Sequence, residues 1–311
     1  HTVSFVPLAK GVEIMSGTYR IPACFVRARA AMTNTASTSP YRSAGRPEVN
    51  FVIERLVDLA SRQTGIEPVE LRRRNLIPAN AMPYANGLGM TYDSGDYRKA
   101  LDEALALGGV DGFKARKAES AQRGKRRGLG IASYMETSTG APRERTEMTV
   151  VPPARDENGK GRIDVVIGTL SSGQGHETSF AQLVTEWLDV DFDQVRLIQG
   201  DTDIVKFGGG SHSGRSMRLA GIIMGAATDE IIEKGKKIAG HLLEAAETDI
   251  NFTDGAFTIT GTDRRVGLFE VAAAAETHDD LPDDLKGPLG AESDQVIQIP
   301  AFPYGAHVCE V

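Results

Sequence analysis

Apolar residues recur at helical spacing in the first part of the chain and at strand spacing in the middle. Val49, Val52, Ile53, Leu56 and Ala60 fall on one face of a 3.6-residue period. Pro47 stands where a first helical position belongs, and Gly65 where that helix would stop. A short helix is expected from Pro68 through Leu71 to Leu76, and another over residues 97–107. Ahead of them, residues 21–33 are rich in β-branched and small apolar side chains and read as a strand. Residues 35–46 are a Ser/Thr/Pro/Gly loop, and 78–96 a long loop with Asn86-Gly87 and Ser94-Gly95 turns.

From about Gly128 the texture changes to strands. Residues 129–135, 147–151 and 162–170 alternate or run apolar, with a turn at Asp156-Glu157-Asn158-Gly159. Phe180, Leu183, Val184 and Trp187 mark a helix, and 195–199 a short strand. The longest helical pattern covers 216–246. Its first half is small and apolar (Ala220, Gly221, Gly225, Ala226, Ala227), which suits close packing on a neighbour or a ligand. Residues 251–259 read as a hairpin around Asp254-Gly255. Residues 268–275 read as a helix, and 277–288 as an acidic surface loop.

Strands and helices alternate without the regular spacing of a doubly wound sheet. The expected class is α+β, with two subdomains of mixed sheets and packed helices. The expected boundaries are 1–100 and 128–311, with a linker at 101–127. No internal repeat stands out. The chain opens at His1 rather than Met, and it ends inside an alternating pattern that starts at Tyr304, like a strand cut short. An internal portion of a longer polypeptide is therefore expected.

Composition narrows the function. The 311 residues are 41% hydrophobic and 25% charged, enough for two domains or one large one. A net charge of −7 argues against a general nucleic-acid binder. The basic stretch 114–127 reads as an exposed helix or linker, and Arg72-Arg73-Arg74 as a solvated helix face. Cys24 and Cys309 are the two cysteines. Without a CxxC spacing neither a zinc nor an iron–sulfur site is encoded, and the usage fits a reducing, cytoplasmic setting. No apolar run approaches a membrane span, and no signal peptide is visible.

Chemistry concentrates in two glycine loops, Gly173-Gln174-Gly175-His176-Glu177-Thr178 and Gly208-Gly209-Gly210-Ser211-His212-Ser213-Gly214-Arg215-Ser216. Each runs into a helical pattern. Glycines let the backbone approach a ligand, and the first turn of a helix offers unpaired N–H groups, so both are ready anion sites. Gln174 and His176 add an amide and an imidazole. A tight strand-to-helix turn would also account for the first loop, and a flexible linker for the second. Linkers rarely end in Ser-Gly-Arg-Ser at a helix start, and the pattern favours an oxyanion or phosphate site. Neither loop is GxxxxGK[ST] or GxGxxG, no GxSxG elbow supports a Ser211–His212 hydrolase, and His176-Glu177 lacks the second His of HExxH. Arg42 and Arg46 lie in a Gly-containing loop before a helix, either in local salt bridges or near an anion.

Taken in order, several segments resemble the molybdenum-binding large subunit of the molybdenum hydroxylases. That family includes xanthine dehydrogenase, aldehyde oxidoreductase and aerobic carbon monoxide dehydrogenase, and the likeness is strongest to the carbon-monoxide-dehydrogenase-like subunits. The matching text is Thr33-Asn34-Thr35, residues 41–48, Glu54-Arg55-Leu56-Val57-Asp58, residues 70–77, Tyr92-Asp93-Ser94-Gly95-Asp96-Tyr97, both glycine loops and Gly200-Asp201-Thr202. The resemblance implies a molybdopterin cytosine dinucleotide cofactor carrying Mo. It places Gly173, Gln174, Gly175 and His176 beside the metal and pterin, with Gln174 bonding a molybdenum oxo group. It assigns phosphate and nucleotide contacts to Gly210, Ser211, Ser213, Gly214, Arg215 and Ser216. Arg42 would shape the substrate pocket, and no metal ligand comes from this chain.

Ser43 occupies the position of the copper-binding cysteine of carbon monoxide dehydrogenases, which implies no copper site. The family's catalytic glutamate is expected beyond Val311, and an upstream glycine-rich cofactor motif is absent from these residues. The resemblance further implies 2Fe-2S clusters on an iron–sulfur small subunit, FAD on a medium subunit, a small-molecule substrate and a dimer of heterotrimers. A non-catalytic phosphate- or nucleotide-binding module is the alternative reading.

Overall fold

In the computed structural model, residues 3–311 are described. The helices are α1 (Val6–Val12), α2 (Arg46–Thr64), α3 (Pro68–Asn75), α4 (Tyr97–Leu107), α5 (Phe113–Gln122), α6 (His176–Leu188), α7 (Arg215–Leu242) and α8 (Leu268–Thr277). The strands are β1 (Tyr84–Ala85), β2 (Thr91–Tyr92), β3 (Leu129–Met135), β4 (Arg143–Val151), β5 (Arg162–Ile167), β6 (Val195–Ile198), β7 (Ile250–Thr253), β8 (Ala256–Ile259), β9 (Arg265–Gly267), β10 (Leu289–Val296) and β11 (Tyr304–Glu310). Packing divides the chain into residues 1–138 with 300–311, and residues 139–299. The expected α+β class is what forms. Residues 101–127, read as a linker, hold most of α4 and all of α5 and fall inside the first unit.

In the first unit, α2 starts with Pro47 in its first turn and stops at Gly65 in the left-handed region, as the sequence predicts. β3 pairs antiparallel with β11, Leu129 opposite Glu310 through Met135 opposite Tyr304. Ile14, Tyr19, Ile77, Tyr92, Leu101, Met135 and Phe302 form the core. Two expectations are corrected here. Residues 21–33 form no strand, because no described strand lies beside them to complete a ladder. Arg72 is not on a solvated face: it is fully buried, with Nε donating to Glu54 Oε2 at 2.9 Å and Nη2 to Asp58 and to the Ile131 carbonyl. Tyr19 Oη donates to the other oxygen of Glu54 at 2.5 Å. Burial, opposed by Arg72, raises the Glu54 carboxyl above its usual range.

The second unit is built on a sheet ordered β10–β4–β5–β6. β10, β4 and β5 are antiparallel, and β5 and β6 are parallel, joined through α6 as a crossover. Alternate residues of β4 and β5 (Met148, Val150, Ile163, Val165, Ile167) face a core shared with α6, α7 and α8. The small stretch on α7 lets Ala220, Ile223, Met224 and Ala227 bury completely. β7 and β8 make the expected hairpin, with Asp254 and Gly255 both at positive φ as a type I′ turn needs. Sequence patterning did not point to β10, whose run Gly290-Ala291-Glu292-Ser293-Asp294 carries little apolar alternation.

Candidate functional site

The parallel β5–α6–β6 arrangement puts the first glycine loop at the carboxyl end of β5, where open α/β sheets leave room for ligands. The second loop follows β6 and leads into α7. The residues that lead from β5 into the first loop touch the second loop backbone to backbone. A Cβ on Gly168 would lie 2.1 Å from Gly208 Cα, and one on Gly208 would lie 2.5 Å from Gly168 Cα. A side chain at either position would push the loops apart.

Beside this crossing sit three hydroxyls. Thr169 Oγ1 is 2.6 Å from Ser216 Oγ and 3.1 Å from Ser211 Oγ, and the two serines are 3.0 Å apart. Each hydroxyl has one rotatable proton, and an O–H turns toward an anion by giving up its bond within the triangle. Both helices start with a glycine in the left-handed region, Gly175 for α6 and Gly214 for α7, and neither has a side-chain cap. At α7 the first N–H, that of Arg215, donates to the His212 carbonyl, and at α6 Thr178 N and Ser179 N donate to the Gly175 carbonyl. The other N–H groups of each first turn are what an oxyanion would meet. Close by, Thr139 donates its N–H to the Ser213 carbonyl while its hydroxyl is buried without a partner.

Within the first loop the two polar residues part company. Gln174 is exposed, and its amide bonds only to Ser172: its Oε1 accepts from Ser172 N at 2.6 Å, and its Nε2 donates to Ser172 Oγ at 3.3 Å. His176 turns inward, 3% exposed, stacked on Phe180 with its Nδ1 2.8 Å from the Thr169 carbonyl. A carbonyl only accepts, so Nδ1 carries the proton and the ring secures the loop from below. Gln199, a residue that motif reading passed over, ties β6 to this loop through Ser171 N and Glu177.

Arg215 also turns inward and is fully buried. Its Nε donates to the Ala141 carbonyl at 2.8 Å. Nη1 donates to Glu144 Oε2 and to the Gly210 carbonyl at 2.7 Å each, and Nη2 to the Arg143 carbonyl at 2.7 Å. Gly209 has no room for a side chain, since a Cβ there would lie 2.5 Å from the Arg215 guanidinium. Each of the three consecutive glycines thus has its own cause: a backbone crossing at 208, a guanidinium at 209, and a φ of +73° at 210. Three residues on, Arg218 donates to the Ile299 carbonyl, and its Nε is buried with no partner. Burial and the nearby Arg215 hold its guanidinium below the usual value.

Gly173, Ser211, Ser213 and Ser216 all belong to this second unit, as do Thr169, Glu144 and Arg218, which no motif flagged. Glu144 gave no signal because it stands in a charged run, Arg143-Glu144-Arg145. Arg42 and Ser43 belong to the first unit. Arg42 is exposed, and Ser43 is half-buried with φ +66°. Arg46 supports their loop: it donates to the Ala44 and Thr137 carbonyls, and its Nε is 2.8 Å from Glu136.

Comparison with known proteins identifies the family. Residues 103–311 match the molybdopterin cofactor-binding domain, and residues 2–76 match a second domain model of the same description. The chain belongs to the molybdopterin cofactor-binding domain family of the molybdenum hydroxylase large subunits. It is 32% identical to the 6-hydroxypseudooxynicotine dehydrogenase complex subunit gamma of Paenarthrobacter nicotinovorans, over 96% of this chain and 37% of that protein. It is 30% identical to the carbon monoxide dehydrogenase large chain of Hydrogenophaga pseudoflava, over 96% of this chain and 38% of that one. Its fold superimposes on quinoline 2-oxidoreductase from Pseudomonas putida 86 with a TM-score of 0.88 and 29% identity, covering 99% of this chain and 40% of that one. The chain thus spans less than two fifths of the length of these two curated relatives.

Proposed function

We propose that this chain is part of the molybdenum-cofactor-binding catalytic subunit of an oxidoreductase that oxidises a carbon centre with oxygen derived from water. The relatives named above are dehydrogenase and oxidoreductase subunits, which supports the class. One observation carries the reading of the site: two helix starts without a side-chain cap and a triangle of hydroxyls, beside the crossing of Gly168 and Gly208. That donor set is neutral, convergent and rich in N–H and O–H groups, as a phosphate-bearing pterin nucleotide requires.

In this reading Ser211, Ser213, Ser216 and Gly214, with Gly210 leaving the approach open, bind the phosphate and nucleotide portion, in its cytosine dinucleotide form. Gly173, Gln174 and Gly175 bound the metal end, where the exposed Gln174 amide orients a ligand oxygen by donating to it. The bound group supplies the two-electron redox chemistry. Thr169 and His176 set the shape of the first loop, and Arg42 borders the substrate pocket. Ser43 in place of a thiol argues against copper and against carbon monoxide as substrate. Electrons would leave to 2Fe-2S and FAD centres on iron–sulfur and flavin subunits, in a cytoplasmic dimer of heterotrimers.

Metal analysis of the complete subunit with its native partners tests this. Molybdenum near one per subunit, released CMP and no copper are expected; a well-folded complex without molybdenum would leave the nucleotide-binding module instead. Gln174→Ala should lower turnover at least about tenfold, equivalent to about 1.4 kcal/mol of transition-state stabilisation. The melting temperature should not move, because the side chain is exposed and bonds only within its loop. Unchanged turnover would remove Gln174 from the site.

A further inference from the structure

The family resemblance places Arg215 among the residues that meet the cofactor, yet its guanidinium is fully buried and four of its five N–H donors are bonded within the protein. Four of its donor contacts go to Glu144 and to the carbonyls of Ala141, Arg143 and Gly210. Glu144 is equally buried, and the same oxygen that takes Arg215 Nη1 also accepts from Gly209 N at 3.2 Å. One carboxylate oxygen therefore holds both the middle of the glycine loop and the first residue of α7. The guanidinium plane fills the space beside Gly209, and its bond to the Gly210 carbonyl fixes the turn just before Ser211.

We propose that the buried Glu144–Arg215 pair is a positioning device that holds residues 209–216 in the anion-receptive shape before any ligand arrives, and that Arg215 contributes no charge to the ligand directly. The proposal rests on the cofactor-binding reading above. Its physical basis is preorganisation. A loop with Gly208, Gly209 and Gly210 in sequence has high conformational freedom, and ordering it at the moment of binding would weaken the site. The pair removes that freedom in advance. Because the two charges cancel inside the protein, the pair presents no net charge to the ligand.

The two roles predict opposite signs. If Arg215 were an anion ligand restrained by Glu144, Glu144→Gln would free its charge and tighten anion binding. If the pair is a brace, Glu144→Gln loosens the loop, because an amide replaces one of the two acceptor oxygens and Gly209 N and Arg215 lose charge-assisted bonds. Arg215→Lys separates the roles again. It keeps the charge, but an ammonium cannot span the Ala141, Arg143 and Gly210 carbonyls as the planar fork does.

The experiment uses the complete subunit with its native partners and compares wild type, Glu144→Gln, Arg215→Lys and the double variant Glu144→Leu/Arg215→Met. The double variant replaces the pair with apolar side chains and leaves no buried charge unpaired. Hydrogen exchange of residues 208–216 is read against β4, β5 and the middle of α7, together with molybdenum and CMP per subunit. At least tenfold faster loop exchange in all three variants is expected, with unchanged protection of the strands in the double variant and at least tenfold lower molybdenum and CMP in the folded protein. Loop exchange at the wild-type rate in the folded double variant would overturn the proposal. So would full cofactor content in that variant, or tighter binding of inorganic phosphate by Glu144→Gln. A wild-type subunit without molybdenum or CMP would instead sink the cofactor reading, and loop exchange alone would then judge the brace.

Discussion

At the start of α2, Gly45 in the left-handed region precedes Arg46; at the start of α7, Gly214 in the same region precedes Arg215. A serine at positive φ precedes each, Ser43 at +66° two residues before Gly45 and Ser213 at +54° directly before Gly214. Both arginines fold back under their own loop, bond a carbonyl there (Ala44 or Gly210), reach the flank of a strand, and pair with a carboxylate. The difference lies in the carboxylate. Glu136 is 25% exposed, whereas Glu144 has no exposure. The first unit thus braces its loop with a pair that water reaches, and the second with a pair cut off from water. A dry pair is rigid but intolerant, because either partner left alone is a bare charge in a poorly polarisable interior.

Arg215→Leu should therefore have the largest effect on stability. It strands Glu144 in the interior at a cost of about 3–5 kcal/mol, read as lost exchange protection across α7 and β4 in the complete subunit. Arg46→Leu should cost less, about 1–3 kcal/mol, because Glu136 can rehydrate and still accepts from Thr137 N. Equal losses would show that burial of the carboxylate does not decide the matter.

A smaller effect follows from pH. Burial raises the Glu136 carboxyl above its usual range despite Arg46, which lowers it. A carboxyl that holds its proton more tightly folded than unfolded stabilises the fold at low pH, and that contribution fades as pH rises through the raised value. The protection of the α2 start should thus decline from about pH 4 upward over that window, and Glu136→Gln should flatten the decline. A slope of the opposite sign in wild type would mean that Arg46, not burial, dominates.

Much of the secondary structure could be read in the chain. β3 runs over the seven residues its pattern marks, and α2 starts and stops at its proline and glycine signals, because those features act within one or two turns. The glycine loops could be read too, as could their position before helices. The inward turn of three charged or polar residues could not. Arg72, Arg215 and His176 each look like surface or ligand-facing groups in sequence, yet all are buried. Their partners lie far off in the chain: Glu54 is 18 residues from Arg72, and Glu144 is 71 residues from Arg215. The unpaired stretch 21–33 is the same lesson reversed, since strand-like composition yields a strand only where another backbone completes its hydrogen bonds.

The sequence by itself determined where helices begin, where the backbone must bend through positive φ, and that two glycine-rich loops lead into helices. Those properties reside in single residues and their near neighbours. Tertiary structure decided which of the loop side chains stay exposed and which turn inward. The packing of β4 and β5 brings Glu144 beneath Gly209 and Gly168 against Gly208, contacts between residues far apart in the chain that no local pattern encodes.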